Sequence, residues 1–320
     1  MTIFAAVAAV SGALTLAPTA PMGGTLVALT TDEAAGRLVA VQPITGEKLW
    51  STQLPAGPHN IAATPAGDVV IATSPPAGAV TIIRLERPSF RSFRVTAIIR
   101  GLAAPHDVEI APDGRFAYVT EEGGGRVAVI SLTRNRVVRR VAVGLRPHDL
   151  AVSPNGRRVW VTHGSGGSQL TVLETASPAR ARVLRRVAAR VGAPHDISFD
   201  RGRVWVTYWG SGRVGAYASA TGALLFTRRA GELTHHVLAA GGRAWVTDHH
   251  GARAVVFDRQ GSTLRTLRAC GDPHHVAVLA GVAVVACADG RLSAYREESG
   301  VRIRTTRAGS SLHGVALVFS

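Results

Sequence analysis

Seven histidines recur at equivalent places along the chain and are its clearest candidates for chemistry. Each stands just before an alternating apolar run, as in "APHD" and "RPHD", and successive members are 47, 42, 47, 40, 39 and 39 residues apart. Neutral imidazole is a preferred ligand of copper, zinc and nickel, so converging histidines could hold one ion or a cluster. A histidine at a strand start could equally bond to neighbouring backbone or to an adjacent aspartate. Both interpretations stay open for this set, which comprises His59, His106, His148, His195, His235, His274 and His313.

The segments around these histidines follow one pattern. An alternating run such as "DVEIA" leads to a glycine turn such as "PDGR" and then to a second run ending in Val-Thr. A glycine-rich loop, a third run and a last, arginine-bearing run complete the repeat. Alternation with a period of two, bounded by Gly, Pro, Asn and Asp, is typical of short antiparallel strands. Four strands in about 40 residues indicate one blade of a β-propeller.

The two ends of the chain determine the number of blades. The C-terminal "SSLHGVALVFS" contains one repeat histidine and one innermost strand, whereas the segment from "GGTLVALTTDEAAG" onward supplies three strands without an innermost one. Together they make one blade, and joining them leaves no sheet edge open in the ring. We therefore predict an all-β fold, a single seven-bladed β-propeller over residues 22–320 that is closed by its C-terminal innermost strand.

The repeat resembles that of the YVTN family of seven-bladed propellers. The resemblance rests on "APDGRFAYVTEEGGGRVAVISL" and "SPNGRRVWVTHGSGG" and extends over residues 57–309. Related propellers are the lactonases of the 6-phosphogluconolactonase type, the streptogramin lyases and the N-terminal domain of nitrous oxide reductase, which holds copper through histidines. Their chemistries differ on one scaffold, so the resemblance implies the fold and leaves the function open.

The predicted topology places the histidines at one mouth of the central channel. The loop that follows each Val-Thr opens on the same face, and its first residues differ from blade to blade, as expected of residues that confer specificity. We predict that a small ligand contacts the following side chains: Glu121, His163, Tyr208, Trp209, Asp248 and His249. A metal-dependent lyase or lactonase is the alternative, with His235 or His274 as general base beside Glu121 or Asp248.

Charge and cysteine content suggest further hypotheses. The net charge of +15 comes almost entirely from arginine, which concentrates in the outermost runs. Such a belt could attract nucleic acid or an acidic polysaccharide, but charged outer strands also prevent sheets from aggregating, and we favour this second explanation. Cys270 and Cys287 lack the spacing of a metal site and could form one disulfide or remain buried thiols.

The first 21 residues are apolar and end in small residues and proline, so we expect a secretory signal or another N-terminal apolar segment. No stretch suits a stable membrane span. The sequence as a whole predicts an exported, monomeric propeller that binds a small ligand or a transition-metal ion, copper or zinc, at the histidine-lined mouth. Whether it is an enzyme stays open, and binding of an anionic polymer by the arginine belt is a third hypothesis.

Overall fold

The computed structural model describes residues 24–319, which form a ring of seven four-stranded antiparallel sheets. The predicted seven-bladed β-propeller is therefore confirmed. The predicted signal segment, residues 1–21, lies outside the described residues. Within residues 24–319, no helix is long and apolar enough to cross a membrane.

Blades and strands are numbered in chain order. The strands of each blade are given below from the innermost, at the channel, to the outermost. Blade 1 consists of β28 (Leu312–Phe319), β1 (Leu26–Asp32), β2 (Arg37–Val41) and β3 (Lys48–Gln53). Blade 2 consists of β4 (Ile61–Ala63), β5 (Val69–Ser74), β6 (Ala79–Glu86) and β7 (Ser92–Arg100). Blade 3 consists of β8 (Pro105–Ile110), β9 (Phe116–Glu121), β10 (Arg126–Ser131) and β11 (Arg136–Ala142).

The remaining four blades repeat this order. Blade 4 consists of β12 (Leu150–Val152), β13 (Arg158–Val161), β14 (Gln169–Glu174) and β15 (Arg182–Ala188). Blade 5 consists of β16 (Pro194–Asp200), β17 (Arg203–Tyr208), β18 (Arg213–Ala218) and β19 (Leu224–Arg229). Blade 6 consists of β20 (Thr234–Ala240), β21 (Arg243–Asp248), β22 (Arg253–Asp258) and β23 (Thr263–Arg268). Blade 7 consists of β24 (Pro273–Leu279), β25 (Val282–Cys287), β26 (Arg291–Arg296) and β27 (Arg302–Arg307).

The C-terminal strand closes the ring as the sequence predicts. Strand β28 pairs antiparallel with β1, from Leu26 opposite Phe319 to Thr30 opposite Val315. Blade 1 is thus built from both ends of the described chain. This pairing satisfies the backbone groups that would otherwise be exposed along β1.

The core lies between neighbouring blades. Strands β1, β5 and β25 are buried along their whole length because blades cover both faces of each sheet. Trp160, Trp205 and Trp245 occupy one position of the second strand and are almost fully buried. Trp160, for example, packs on Val204 and Val206 of the next blade. These contacts set the blade spacing and hence the width of the channel.

Candidate functional site

Five of the seven repeat histidines lie near the start of an innermost strand, within a β-bulge, whereas His59 and His148 come two residues before β4 and β12. In blade 5, His195 and Asp196 together face the single residue Thr207 of β17. In a bulge, two consecutive residues of one strand face a single residue of the neighbouring strand, and both side chains can turn toward the same face of the sheet. The sequence did not reveal this irregularity. It gives the channel two layers of side chains where a regular strand would give one.

The threonine opposite each bulge fastens one blade to the next. Thr120 accepts a hydrogen bond from the backbone N–H of Asp107 at 2.9 Å and donates its own to the backbone carbonyl of His148 in the next blade at 2.7 Å. The corresponding threonines of blades 1, 2, 4, 5 and 6 make the same pair of bonds. Blade 7 has Ala286 at this place. This bond between blades uses the backbone of the histidine. In blade 3 the His106 imidazole also contacts the His148 carbonyl and Asp149 of blade 4, each at 3.2 Å.

The seven imidazoles form a closed circuit of ring contacts around the channel. Distances between the centroids of successive rings, starting from the pair His59 and His106, are 4.4, 3.9, 4.3, 4.8, 4.7, 4.5 and 3.5 Å, the last joining His313 back to His59. Six of them, all except His274, line a cavity of about 190 Å³ together with Asp149 and His275. Side chains from all seven blades thus converge on one space large enough for an ion and several waters.

Most of these imidazoles are neutral and have an unsatisfied nitrogen. The Nδ1 atom is buried without a hydrogen-bond partner in five of them: His59, His195, His235, His274 and His313. Burial, followed by the charges of neighbouring imidazoles, lowers the pKa of His195 and of His274 to about 3. A neutral imidazole with a free nitrogen is the form of histidine that binds a metal ion.

Three imidazoles come close enough to share an ion. One ring nitrogen from each of His235, His274 and His313 lies within 4.8 Å of the other two. An ion at the centre of a triangle with sides of that length would be about 2.8 Å from each corner, and zinc–nitrogen bonds are about 2.0–2.1 Å. Ring shifts of about 0.7 Å would therefore complete the coordination of one ion.

The opposite arc of the circuit is held by a carboxylate. Asp149 lies 3.2 Å from Nδ1 of His106 and 3.0 Å from Nδ1 of His148. Burial alone would raise the pKa of Asp149, but the two imidazoles outweigh it and hold that pKa well below its usual range. Burial alone would likewise lower the pKa of His106, yet its contact with Asp149 raises it. This arc is a charged pair network, in contrast to the neutral arc formed by blades 6, 7 and 1.

Two of the six predicted ligand-contacting residues lie against the circuit. Trp209 stacks on His195 with ring centroids 4.8 Å apart. His249 places its Nε2 atom 2.7 Å from Nε2 of His274. Trp209 thus lies against blade 5 of the circuit and His249 against blade 7, and contact of either with a ligand stays a prediction.

The other four predicted residues end the second strands and are buried beside the loops that lead to the histidines. Glu121 accepts a hydrogen bond from Ala103 N–H and pairs with Arg140, and Asp248 accepts bonds from Glu232 and Leu233 N–H. His163 bonds to the Leu145 carbonyl and to Thr171, and the Tyr208 hydroxyl bonds to that of Tyr217. The polar atoms of Glu121, Asp248 and His163 anchor the loops that lead to the histidines, whereas the Tyr208 hydroxyl contacts the third strand of its own blade. Contact of these four with a ligand stays a prediction.

A disulfide between Cys270 and Cys287 serves the same purpose in blade 7. Cys287 ends β25 opposite Pro273, directly before His274. The bridge thus takes the place of the buried side chains that anchor the loops of other blades. It fixes the loop that carries one of the three convergent imidazoles.

Most arginines of the outer strands are exposed. Some are paired with acidic residues, including Arg94 with Glu86 and Arg182 with Glu174. Exposed charges on outer strands protect the sheet edges from pairing with strands of other molecules.

Sequence reasoning missed a second layer of channel residues. The residue that follows each repeat histidine lies one step deeper, and these residues line part of a second cavity of about 200 Å³: Asn60, Asp107, Asp149, Asp196, His236 and His275. The paired histidines of "LTHH" and "DPHH" are the sequence feature that could have revealed this second layer.

Comparison with known proteins supports the fold more than a function. A family model described as outer membrane protein assembly factor BamB matches residues 5–141. No curated protein shows significant sequence similarity. A functionally unknown protein from Desulfotomaculum acetoxidans is similar in structure with a TM-score of 0.77 and 17% identity, covering 91% of this chain and 98% of that one.

Two further structures match over nearly the whole chain. A candidate 6-phosphogluconolactonase from Bacteroides uniformis has a TM-score of 0.77 and 15% identity, with 92% and 99% of the two chains covered. Apo AztD from Citrobacter koseri has a TM-score of 0.70 and 12% identity, with 92% and 98% covered. At such low identity these likenesses establish the propeller and leave the chemistry to the site itself.

Proposed function

We propose that this propeller is a binding protein for a transition-metal ion, zinc or copper, held at the histidine-lined mouth of its channel. The observation that carries the proposal is the convergence of His235, His274 and His313, whose ring nitrogens lie within 4.8 Å of one another. Imidazole nitrogens in this number suit both ions. Binding would also satisfy buried Nδ1 atoms that have no partner within residues 24–319.

The contacts between blades favour a ligand-binding role over a purely structural one. The threonine bonds between blades go to histidine carbonyls, so these bonds do not require imidazole at these positions. Clustering neutral histidines without hydrogen-bond partners costs stability, because each buried polar group is desolvated. A ligand bound by these nitrogens would explain why histidine occupies these buried positions despite that cost.

Export is part of the proposal. A disulfide forms and persists in oxidising compartments, and Cys270 is bonded to Cys287 beside the site. The match of residues 5–141 to a family described by an outer membrane assembly factor agrees with this location. Appearance of the protein outside the cytoplasm, measured by cell fractionation, would support it.

The test is metal binding by the purified protein. After removal of bound metal with a chelator, wild-type protein should bind zinc or copper(II) in stoichiometric amount, measured by elemental analysis and by competition with a chromophoric chelator. Replacing His235, His274 and His313 together by alanine should weaken binding at this site by at least about 100-fold. Loss of a residue that only hydrogen-bonds to a metal ligand already weakens binding by up to about 100-fold, so loss of three ligands should weaken it at least as much.

His250→Ala is the matched control, because this histidine is at the same mouth but is exposed and outside the circuit. It should bind as the wild type does. Equal affinity of wild type and the triple variant for both ions would refute the proposal. Turnover of lactones that is lost with His235 or His274 would instead identify the metal-dependent lyase or lactonase, and strongly salt-dependent binding of nucleic acid or polysaccharide would indicate the arginine belt.

A further inference from the structure

The second layer of the channel contains a cluster of metal-binding residue types of its own. Asp196, His236 and His275 come from blades 5, 6 and 7, and each offers a ligand atom within 4.8 Å of the other two. The closest measured approach is 3.8 Å, between Nε2 of His236 and Oδ2 of Asp196. The rings of His236 and His275 stack with centroids 4.2 Å apart. Because the ligands come from three blades, the ring architecture itself brings them together.

We propose that Asp196, His236 and His275 form a second site for a divalent transition-metal ion, one residue deeper in the channel than the repeat histidines. The proposal goes beyond the binding function argued above and does not depend on it. The bulges explain how both layers arise, because each places two consecutive side chains at the channel.

The charge around the deeper layer favours a cation. Asp107, Glu109, Asp149 and Asp196 all line the second cavity. Only Asp149 among them is paired closely with basic partners, His106 and His148. Burial, with the charge of Asp149, raises the pKa of Asp107 to about 7, and burial with the charge of Asp107 raises that of Glu109 to about 8. A divalent ion beside Asp196 would offset the repulsion among these carboxylates.

The donor atoms distinguish the two layers. The upper group offers three imidazole nitrogens, whereas the deeper one offers two imidazoles and a carboxylate. Carboxylate ligands increase the preference for harder ions, and two histidines with one carboxylate is a donor set found with iron(II). The deeper site should therefore accept manganese(II) and iron(II) more readily than the upper group does.

One contact determines which nitrogen of His236 faces the site. The backbone N–H of Val276 points to its Nδ1 at 3.3 Å, so Nε2 faces Asp196. A neutral ring whose Nδ1 accepts this bond carries its proton on Nε2. Coordination of an ion through Nε2 would therefore require the neutral ring to carry its proton on Nδ1 instead, which would end the bond from Val276 N–H.

The direct test is crystallography of the wild-type protein soaked separately in manganese(II) and zinc chloride, with anomalous difference maps. A peak within bonding distance of Asp196, His236 and His275 supports the second site. A peak at the upper histidines alone would overturn it and leave the proposed function standing. A peak at the deeper cluster alone would support the second site and count against the proposed function, and no peak at either place would refute both.

Solution measurements keep the test independent of crystals. Manganese(II) binding, followed by the electron paramagnetic resonance signal of the free ion, should weaken at least about tenfold in Asp196→Asn and in the double variant His236→Gln, His275→Gln. His250→Ala is the matched control, since this histidine is exposed and is not part of the cluster. Equal affinity of wild type and Asp196→Asn would overturn the proposal.

Discussion

The bond between blades 6 and 7 offers a quantitative test of how the scaffold holds the histidines. Thr247 is fully buried, accepts the N–H of His236 at 2.9 Å and donates to the carbonyl of His274 at 2.7 Å. Thr247→Val keeps the volume but leaves both backbone groups without this partner. Each buried group left unsatisfied costs about 1–3 kcal/mol, so the variant should lose about 2–6 kcal/mol of stability.

For a chain of about 300 residues, that loss lowers the melting temperature by about 3–10 °C. Circular dichroism during heating measures the shift, and Thr247→Ser is the control because it keeps the hydroxyl. The valine variant should also bind zinc more weakly, since His274 loses its backbone tether. Melting temperatures within about 1 °C of each other for the valine and serine variants would refute the view that this hydroxyl joins the blades.

Three further predictions follow from other contacts. Ala286→Thr should introduce the missing bond in blade 7 and raise the melting temperature by about 1–2 °C, whereas a decrease would show that the position cannot hold the hydroxyl. Replacing Cys270 and Cys287 by serine opens a loop with a sequence separation of 17, which should cost about 3 kcal/mol and also weaken zinc binding at His274; unchanged unfolding by urea would contradict this. Acid should destabilise the fold as the pH falls from about 6.5 to about 3, because histidines such as His195 and His274, with folded pKa values of about 3, take up protons more readily when unfolded. The buried carboxylates Asp107 and Glu109, whose pKa values are raised, oppose this trend in part, and a melting temperature that stays constant from pH 7 to 4 would contradict it.

Much of the fold could be predicted because its determinants are local and repeated. Alternating apolar residues, glycine turns and the Val-Thr step specify each strand, and the period of about 40 residues specifies the blade. The incomplete first and last repeats predicted closure by the C-terminal strand, which the pairing of β28 with β1 confirms. The position of the histidines at the start of the innermost strands was predictable for the same reason.

The candidate site was predictable only in part. Repetition singled out the seven histidines, and the loops after the second strands suggested Trp209 and His249, which contact the circuit. The same rule also selected Glu121 and Asp248, whose carboxylates bind loop backbone. The position of a residue within the repeat determines how deep in the channel it lies. Its rotamer and its hydrogen-bond partners depend on loops that differ among the blades.

The amino-acid sequence by itself determined the propeller, its seven blades and the face on which the histidines lie, because strand periodicity and repeat length are properties of the chain alone. The tertiary structure decided which imidazoles share a space, which carboxylates are paired, and that His236 and His275 meet Asp196 across three blades. Those relations depend on bulges and on the closure of the ring. Both bring together residues about 40 positions apart in the chain, and their relative orientation is fixed only once the blades have packed.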